Sequence, residues 1–257
     1  MSVLAVIPAR LGATRLTRKP LRLLGGVPLV VRVYERVTSL AIADQCIVAT
    51  DDHEVLALCQ QYNVPAMLTA ASHPSGTDRV AEVARALADS APDVILNVQG
   101  DEPFVAHDAI MGAVGIVQAG HADIGTAAVR ASPATLDRPD VVKVVCTDAG
   151  RALYFSRAPI PFLRDAADAP LQATLVRQHV GVYAYSPAAL ATWVALPPHP
   201  LELCERLEQL RPLAHGLTIG VAEASAAEGG IDTEADLLHA NERWSRMTPQ
   251  PTSLREA

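Results

Sequence analysis

The sequence predicts a doubly wound α/β fold, a mostly parallel sheet covered on both faces, with an inserted β-rich subdomain. Short and almost wholly apolar runs alternate with helical patterns through the first half of the chain. The rhythm breaks after about residue 131 and returns near residue 217. At 257 residues, half of them hydrophobic, the chain is long enough to bury a substantial core. A mean hydropathy of +0.20 argues against disorder.

In order, Val3–Pro8, Gln45–Ala49, Pro65–Leu68, Asp93–Val98 and Ile124–Val129 read as strands. Helices start near Pro28, Asp52, Asp78 and Ala106. Right-handed crossovers then place ligands beyond the C-terminal ends of the strands. Val141–Thr147 and Ala152–Ser156 read as a hairpin around Asp148-Ala149-Gly150, followed by a proline-punctuated stretch from Pro159 to Pro170. Val180–Tyr185 reads as a strand and Leu201–Leu213 as one helix. Leu217–Val221 and Glu234–Trp244 close the pattern as a strand and a helix. No repeat and no long linker divides the chain, so residues 1–257 form one domain with the insertion at about 132–185.

The formal charge of −7 argues against a general nucleic-acid binder. It conceals +6 over residues 1–34 (Arg10, Arg15, Arg18, Lys19, Arg22, Arg32) and −13 over the rest, the first acid being Glu35. An arginine-rich start resembles a transit peptide, but the apolar run begins at Val3, and Pro8, Gly12 and Pro20 interrupt any amphipathic helix. No run approaches the roughly 20 apolar residues of a membrane span. Cys46, Cys59, Cys146 and Cys204 form no Cys-x-x-Cys pair, so reduced thiols and a cytoplasmic location are expected.

The loop leaving the first strand, Pro8 to Leu21, carries Arg10, Arg15, Arg18 and Lys19 where an anion should dock. A solvated charged loop is the plain alternative. The chain has only two lysines, Lys19 and Lys143, against nineteen arginines, which suggests that position 19 wants a compact point charge for a phosphate oxygen. The glycine fingerprints of dinucleotide-binding and P-loop sites are absent. Asn97-Val98-Gln99-Gly100-Asp101-Glu102-Pro103 puts a carboxylate at a strand end, after a glycine that permits close backbone approach. Mg²⁺ accepts one or two such carboxylates plus substrate phosphates; a turn capped by Asp101 is the alternative. Asp232, after Gly229-Gly230, is a candidate second ligand, while Thr233 and Asp236 form a helix cap. Ser75-Gly76-Thr77 precedes a helix and fits either a cap or a nucleoside contact. Arg157, His179, Tyr183, Tyr185, Glu208 and Gln209 are polar residues in apolar surroundings, each structural when taken alone.

Ile-Pro-Ala-Arg, Thr-Arg-Leu, Lys-Pro-Leu, Ile-Val-Ala-Thr-Asp, Ser-Gly-Thr-Asp-Arg, Asn-Val-Gln-Gly-Asp-Glu-Pro, Val-Lys-Val-Val, Leu-Tyr-Phe-Ser-Arg, His-Val-Gly-Val-Tyr, Leu-Glu-Gln-Leu-Arg and Ile-Asp-Thr-Glu-Ala-Asp-Leu follow one another. In that order, from residue 3 to about residue 244, the chain resembles the 3-deoxy-manno-octulosonate (Kdo) cytidylyltransferases, the CMP-Kdo synthetases. The resemblance implies a Rossmann-like nucleotidyltransferase fold and transfer of CMP from CTP to the anomeric hydroxyl of Kdo, with release of pyrophosphate. It also implies a cytoplasmic homodimer, built largely through the insertion and serving lipopolysaccharide synthesis. It puts Arg10 and Lys19 at the CTP phosphates, Ser75, Gly76, Thr77 and Gln99 at the nucleoside, and Mg²⁺ on Asp101 and Asp232; Arg15 is expected with them in the nucleotide site. Arg157, His179, Tyr185, Glu208 and Gln209 would line the sugar site. Arg10, Lys19 and Asp101 would be the catalytic residues, acting by positioning and charge stabilisation, with no covalent nucleophile required. Thr17-Arg18 departs from the family's Pro-Gly and adds a charge beside the phosphates, and Gln178 and Ala184 stand where Arg and Gly are common. A related acidic 2-keto sugar (8-amino-Kdo or sialic acid) and a silent nucleotide-binding protein are the competing readings.

Overall fold

The computed structural model describes residues 1–12, 15–87 and 92–247. Strand β1 (Val3–Ala9) is followed by a minimal hairpin, β2 (Leu23–Leu24) and β3 (Val27–Pro28), then α1 (Leu29–Ser39) and β4 (Gln45–Thr50). Next come α2 (His53–Gln61), β5 (Ala66–Leu68), α3 (Gly76–Ala86), β6 (Val94–Asn97), α4 (His107–Gln118) and β7 (Ile124–Arg130). The less regular middle holds α5 (Pro133–Leu136), β8 (Lys143–Cys146), β9 (Ala152–Ser156) and α6 (Ala169–Leu175). Then follow β10 (Arg177–Tyr185), α7 (Pro187–Ala195), α8 (Pro200–Glu205), α9 (Leu210–Ala214), β11 (Ile219–Glu223) and α10 (Glu234–Met247).

The central sheet runs β11-β7-β10-β6-β1-β4-β5, and of these strands β10 alone runs against its neighbours. The uniform apolarity of β1 follows from its place: it lies between β4 and β6, and helices cover both of its faces. One face packs against α1, α2, α4 and α10 through Val33, Cys59, Ile110 and Leu237. The other packs against α3 and α7 through Val80, Val83, Leu190 and Trp193.

Two expectations change. The strand predicted at Val180–Tyr185 belongs to the central sheet, as the C-terminal part of β10. The β8–β9 hairpin is hydrogen-bonded to that same strand at Arg177 and Gln178, so it is continuous with the central sheet. The predicted helix Leu201–Leu213 is two helices. Arg206 adopts the left-handed conformation (φ 56°, ψ 46°) and Leu207 N–H bonds back to Glu202 O at 3.2 Å, a C-terminal stop. Pro212 explains the restart. In one continuous helix its ring would meet the carbonyl four residues earlier, whereas the first turn of α9 tolerates it.

Candidate active site

The C-terminal ends of β1 and β6 open onto a cavity of about 370 Å³ lined by Arg10, Arg15, Lys19, Ser75, Gly76, Gln99, Asp101, Glu208 and Asp232. The doubly wound fold predicts a site at these strand ends. Backbone proximity builds it. A Cβ at Gly100 would stand 2.6 Å from the Pro8 carbonyl oxygen, and one at Gly230 would stand 3.1 Å from the Asp101 carboxylate. Glycine at 100 lets the β6 loop meet the end of β1 this closely, and glycine at 230 spares the Asp101 carboxylate a tight contact. Ile231 N–H closes the junction on Asp101 O at 3.0 Å.

Lys19 Nζ lies between the two acids, 2.6 Å from Asp101 Oδ2 and 2.8 Å from Asp232 Oδ1. Burial alone would lower its pKa, but the Asp101 and Asp232 carboxylates outweigh that and hold it above the ordinary lysine value. Arg15 reaches the other oxygen of Asp232 at 2.9 Å. Arg10 is exposed, lines the cavity and pairs with no acid among the described residues. Residues 13 and 14 of this loop lie outside the described residues.

Ser75 caps α3, its hydroxyl accepting from Asp78 N–H and donating to Asp78 Oδ2 at 2.6 Å. Thr77 is buried and donates to Glu208 Oε2 at 3.1 Å, so it backs the cavity wall instead of lining it. Burial lifts the Glu208 carboxyl above its usual range, against the pull of Thr77 and Ser75. Gln99 donates to Asn97 Oδ1 at 3.3 Å, and Asn97 donates to the Tyr185 hydroxyl at 3.4 Å.

The five residues expected around a sugar are not gathered on this cavity, and Glu208 alone of them lines it. Tyr185 is fully buried, stacked on Tyr183 with ring centroids 6.1 Å apart, so it supports the wall. Gln209 is buried at the start of α9. His179 bonds to the Thr126 hydroxyl at 2.9 Å and packs edge-on against Phe155, and burial lowers its pKa to about 4. Arg157 spends its guanidinium on backbone carbonyls, 2.9 Å from Glu205 O and 3.0 Å from Pro139 O.

Arg18 also departs from expectation. It points away from the cavity and pairs with Glu54 at the start of α2. Its backbone is left-handed (φ 57°, ψ 35°), the conformation for which glycine is the default residue. Of the other two departures, Ala184 is fully buried in register with Leu96 and Gly125, and Gln178 lies between β7 and β8 in register with Val129 and Lys143. One further residue lines the cavity, Arg79, and one adjoins it in sequence, Glu102. Arg79, buried, lines the cavity from α3 and is fixed by Asp51 at 2.8 Å; its place in Ser-Gly-Thr-Asp-Arg was the available signal. Glu102 is raised to about 7 by burial and by the charges of Asp101, Asp232 and Glu228, the last two far away in sequence.

An open α/β sheet with a cationic loop, two converging carboxylates and a capped helix start at its strand ends defines a nucleotide-handling enzyme. A family described as Cytidylyltransferase matches residues 4–219. A 3-deoxy-manno-octulosonate cytidylyltransferase of Gemmatimonas aurantiaca is 68% identical over 95% of each chain. One from Polynucleobacter necessarius is 44% identical over 95% of this chain and 96% of its own. A solved CMP:2-keto-3-deoxy-manno-octonic acid synthetase complexed with CTP superposes with a TM-score of 0.88 at 36% identity, covering 96% of this chain and 100% of that one. A 4-diphosphocytidyl-2C-methyl-D-erythritol synthase from Anaerococcus prevotii, 15% identical with a TM-score of 0.61 over 95% of this chain and 99% of its own, shares the fold. The chain belongs to the cytidylyltransferase family, within it to the 3-deoxy-manno-octulosonate cytidylyltransferases, and is a nucleotidyltransferase.

Proposed function

We propose that the protein transfers CMP from CTP to the anomeric hydroxyl of Kdo in a Mg²⁺-dependent reaction that releases pyrophosphate. The observation that carries this reading is the convergence of Asp101, Asp232 and Lys19, with Arg10, on one cavity at the ends of β1 and β6. The residues fit a magnesium ion. Two hard carboxylates from separate loops already share one cationic group. Among the described residues no set of three His, Cys, Asp or Glu side chains forms a complete protein cage. Mg²⁺ is commonly held by one or two carboxylates together with substrate phosphates and water. When bound, it would neutralise charge at the α-phosphate and lower the pKa of the attacking hydroxyl.

The protein's part is positioning and charge. The sugar hydroxyl gives up its proton to solvent as its oxygen attacks the α-phosphorus, the bond from the α-phosphorus to the bridging oxygen breaks, and pyrophosphate leaves carrying the negative charge. Arg10 and Lys19 neutralise that leaving group, with Arg15 beside them. The start of α3 (Ser75, Gly76) and Gln99 orient the nucleotide, with Thr77 as backing. Glu208 stands on the same wall for the acceptor. Arg157, His179, Tyr185 and Gln209 shape the sugar side through the packing of β10 and the turn before α9. A homodimer formed through the insertion is supported by apolar side chains displayed there, notably Phe162 at 84% exposure, Leu171 and Leu153. Four free cysteines fit the cytoplasm, where lipopolysaccharide precursors are made.

Pyrophosphate release from CTP, measured with the full chain across Kdo, 8-amino-Kdo and sialic acid, tests the assignment. Kdo alone should support turnover at Mg²⁺-dependent rates; activity only with another acid, or CTP binding without release, refutes it. Asp101→Asn should cut turnover by at least about a hundredfold while leaving the folded fraction unchanged by circular dichroism. Near-normal turnover of that variant at limiting Mg²⁺ removes Asp101 from the metal site.

A further inference from the structure

We infer that Arg243, on the C-terminal helix and outside the cavity, is the positioning residue that sets the distance between the Asp101 and Asp232 carboxylates. The inference rests on the proposed function, in which these two acids hold the divalent cation.

The two carboxylates stand on different loops, and each loop has an outer end. Phe104 is three residues after Asp101, and Glu228 is four residues before Asp232. Arg243 holds both ends at once. Its guanidinium carbon lies 4.2 Å from the centroid of the Phe104 ring, and its Nη1 is ion-paired with Glu228. Between these outer ends the loops touch directly, through Ile231 N–H on Asp101 O and the Gly230 backbone against the Asp101 carboxylate. Each loop is therefore fixed at two points, and one of those points is shared. A planar guanidinium can serve both ends because its face lies on an aromatic ring while its edge donates to a carboxylate.

The rest of α10 braces the lysine side of the same triangle. Trp244 packs against the Phe104 ring (centroids 6.1 Å apart), carries Arg32 4.2 Å over its own ring, and fills the space where a Cβ of Gly25 would stand. Asn241 accepts from Gly25 N–H at 2.9 Å and donates to Leu23 O at 3.1 Å. That hairpin directly follows Lys19-Pro20-Leu21. One helix thus contacts the segments behind Lys19, Asp101 and Asp232, and Arg243 is the member that joins the two acidic loops.

Outer groups that orient metal ligands are worth about 10–100-fold in metal affinity. The test is Mn²⁺ binding by electron paramagnetic resonance on the full chain with CTP and no acceptor sugar, paired with amide hydrogen exchange in the absence of metal and nucleotide. Arg243→Ala should weaken Mn²⁺ binding about tenfold and speed exchange at residues 100–104 and 228–232, with exchange in β1 and β4 unchanged. Arg243→Lys, which keeps the charge for Glu228, should recover part of both losses. Phe104→Leu, which removes the ring face but no charge, should move both readouts in the same direction as Arg243→Ala and serves if that variant folds poorly. Arg246→Ala, on the same helix but bonded among the described residues only to Glu242 O, should change neither. Wild-type Mn²⁺ affinity and loop exchange in both Arg243→Ala and Phe104→Leu overturn the inference. Asp101→Asn separates this failure from failure of the metal reading: if it binds Mn²⁺ as the wild type does, the underlying assignment is wrong.

Discussion

Replacing Gly100 by alanine tests whether catalysis depends on the close seam between the β1 loop and the β6 loop. Gly100 has no positive φ, so alanine is allowed by its backbone and the perturbation is steric alone. The new Cβ would meet the Pro8 carbonyl oxygen at 2.6 Å, and the obstacle is backbone that cannot rotate away. Relieving a carbon–oxygen contact to about 3.3 Å requires the two loops to part by about 0.7 Å. Overpacking of this kind costs about 1–3 kcal/mol. For a protein of this size that corresponds to a fall in Tm of about 2–12 °C.

The effect on turnover follows from what flanks the seam. Pro8 is two residues before Arg10, and Gly100 immediately precedes Asp101, so the displacement passes into both the group proposed to bind phosphate and the group proposed to bind the metal. A misplacement near 1 Å costs about a hundredfold in rate, so the loss expected for Gly100→Ala is about 10–100-fold in kcat. Gly112→Ala provides the control. Its Cβ would meet the Ala222 Cβ at 2.4 Å, a comparable clash between α4 and β11 that does not line the cavity. It should lower Tm without lowering kcat per folded molecule. Pyrophosphate release and thermal unfolding of both variants decide the matter. A Gly100→Ala protein with wild-type kcat and Tm refutes the argument, as does a Gly112→Ala protein that loses kcat equally.

Two other outcomes follow from the same structure. Arg18→Gly removes about 1–2 kcal/mol of left-handed backbone cost and forfeits about 0–1 kcal/mol from the exposed pair with Glu54, with the more flexible unfolded chain taking back most of the remainder; denaturant unfolding should show a change below about 1 kcal/mol, with turnover within about twofold, and a tenfold loss of turnover would put Arg18 on the substrate after all. His179 titrates at about 4 in the fold against an ordinary 6.5, so the unfolded chain binds its proton more readily and stability falls as pH drops from 6.5 toward 4, by about 2 kcal/mol at pH 5; the acid-induced loss should be smaller by that amount in His179→Asn, and equal losses in both proteins refute the assignment.

What was readable in the sequence is what depends on neighbours in sequence or on burial of a whole element. Val3–Pro8 and Asp93–Val98 are uniformly apolar because strands covered on both faces must be, so the core of the sheet and the site at its strand ends could be read directly. Gly100 was readable as a close-approach glycine for the same reason: it adjoins a carboxylate at a strand end. The scarcity of lysine was a signal with two meanings. Lys19 does act as a point charge between oxygens, but so does Lys143, whose buried ammonium donates to the backbone carbonyls of Arg138, Val141 and Arg157. Three pyramidal N–H bonds onto converging carbonyls need an ammonium, and no phosphate is involved. The surroundings of the residues expected around a sugar were unreadable because their partners come from distant segments. Nothing near Arg157 in sequence shows that Glu205 and Pro139 will take its guanidinium. Nothing around Glu102 shows that Glu228 and Asp232 will crowd it.

The charge asymmetry at the N-terminus takes a different meaning once pairs are assigned. Of the six cations in residues 1–34, Arg15 and Lys19 are held by Asp232 and Asp101, Arg18 by Glu54, Arg22 by Glu234 and Arg32 by Glu35. Of these six, only Arg10 pairs with no acid among the described residues. A stretch free of acids in sequence is therefore largely neutralised in space, and it is not a standing receptor for six negative charges. In the proposed reaction this has a physical consequence. Lys19 and Arg15 rest on the same two carboxylates that would hold a divalent cation, so a cation bound there would release both side chains to the triphosphate. Nucleotide and metal should then bind with positive coupling, each raising the other's affinity by the same factor, while Arg10 supplies the attraction that precedes either.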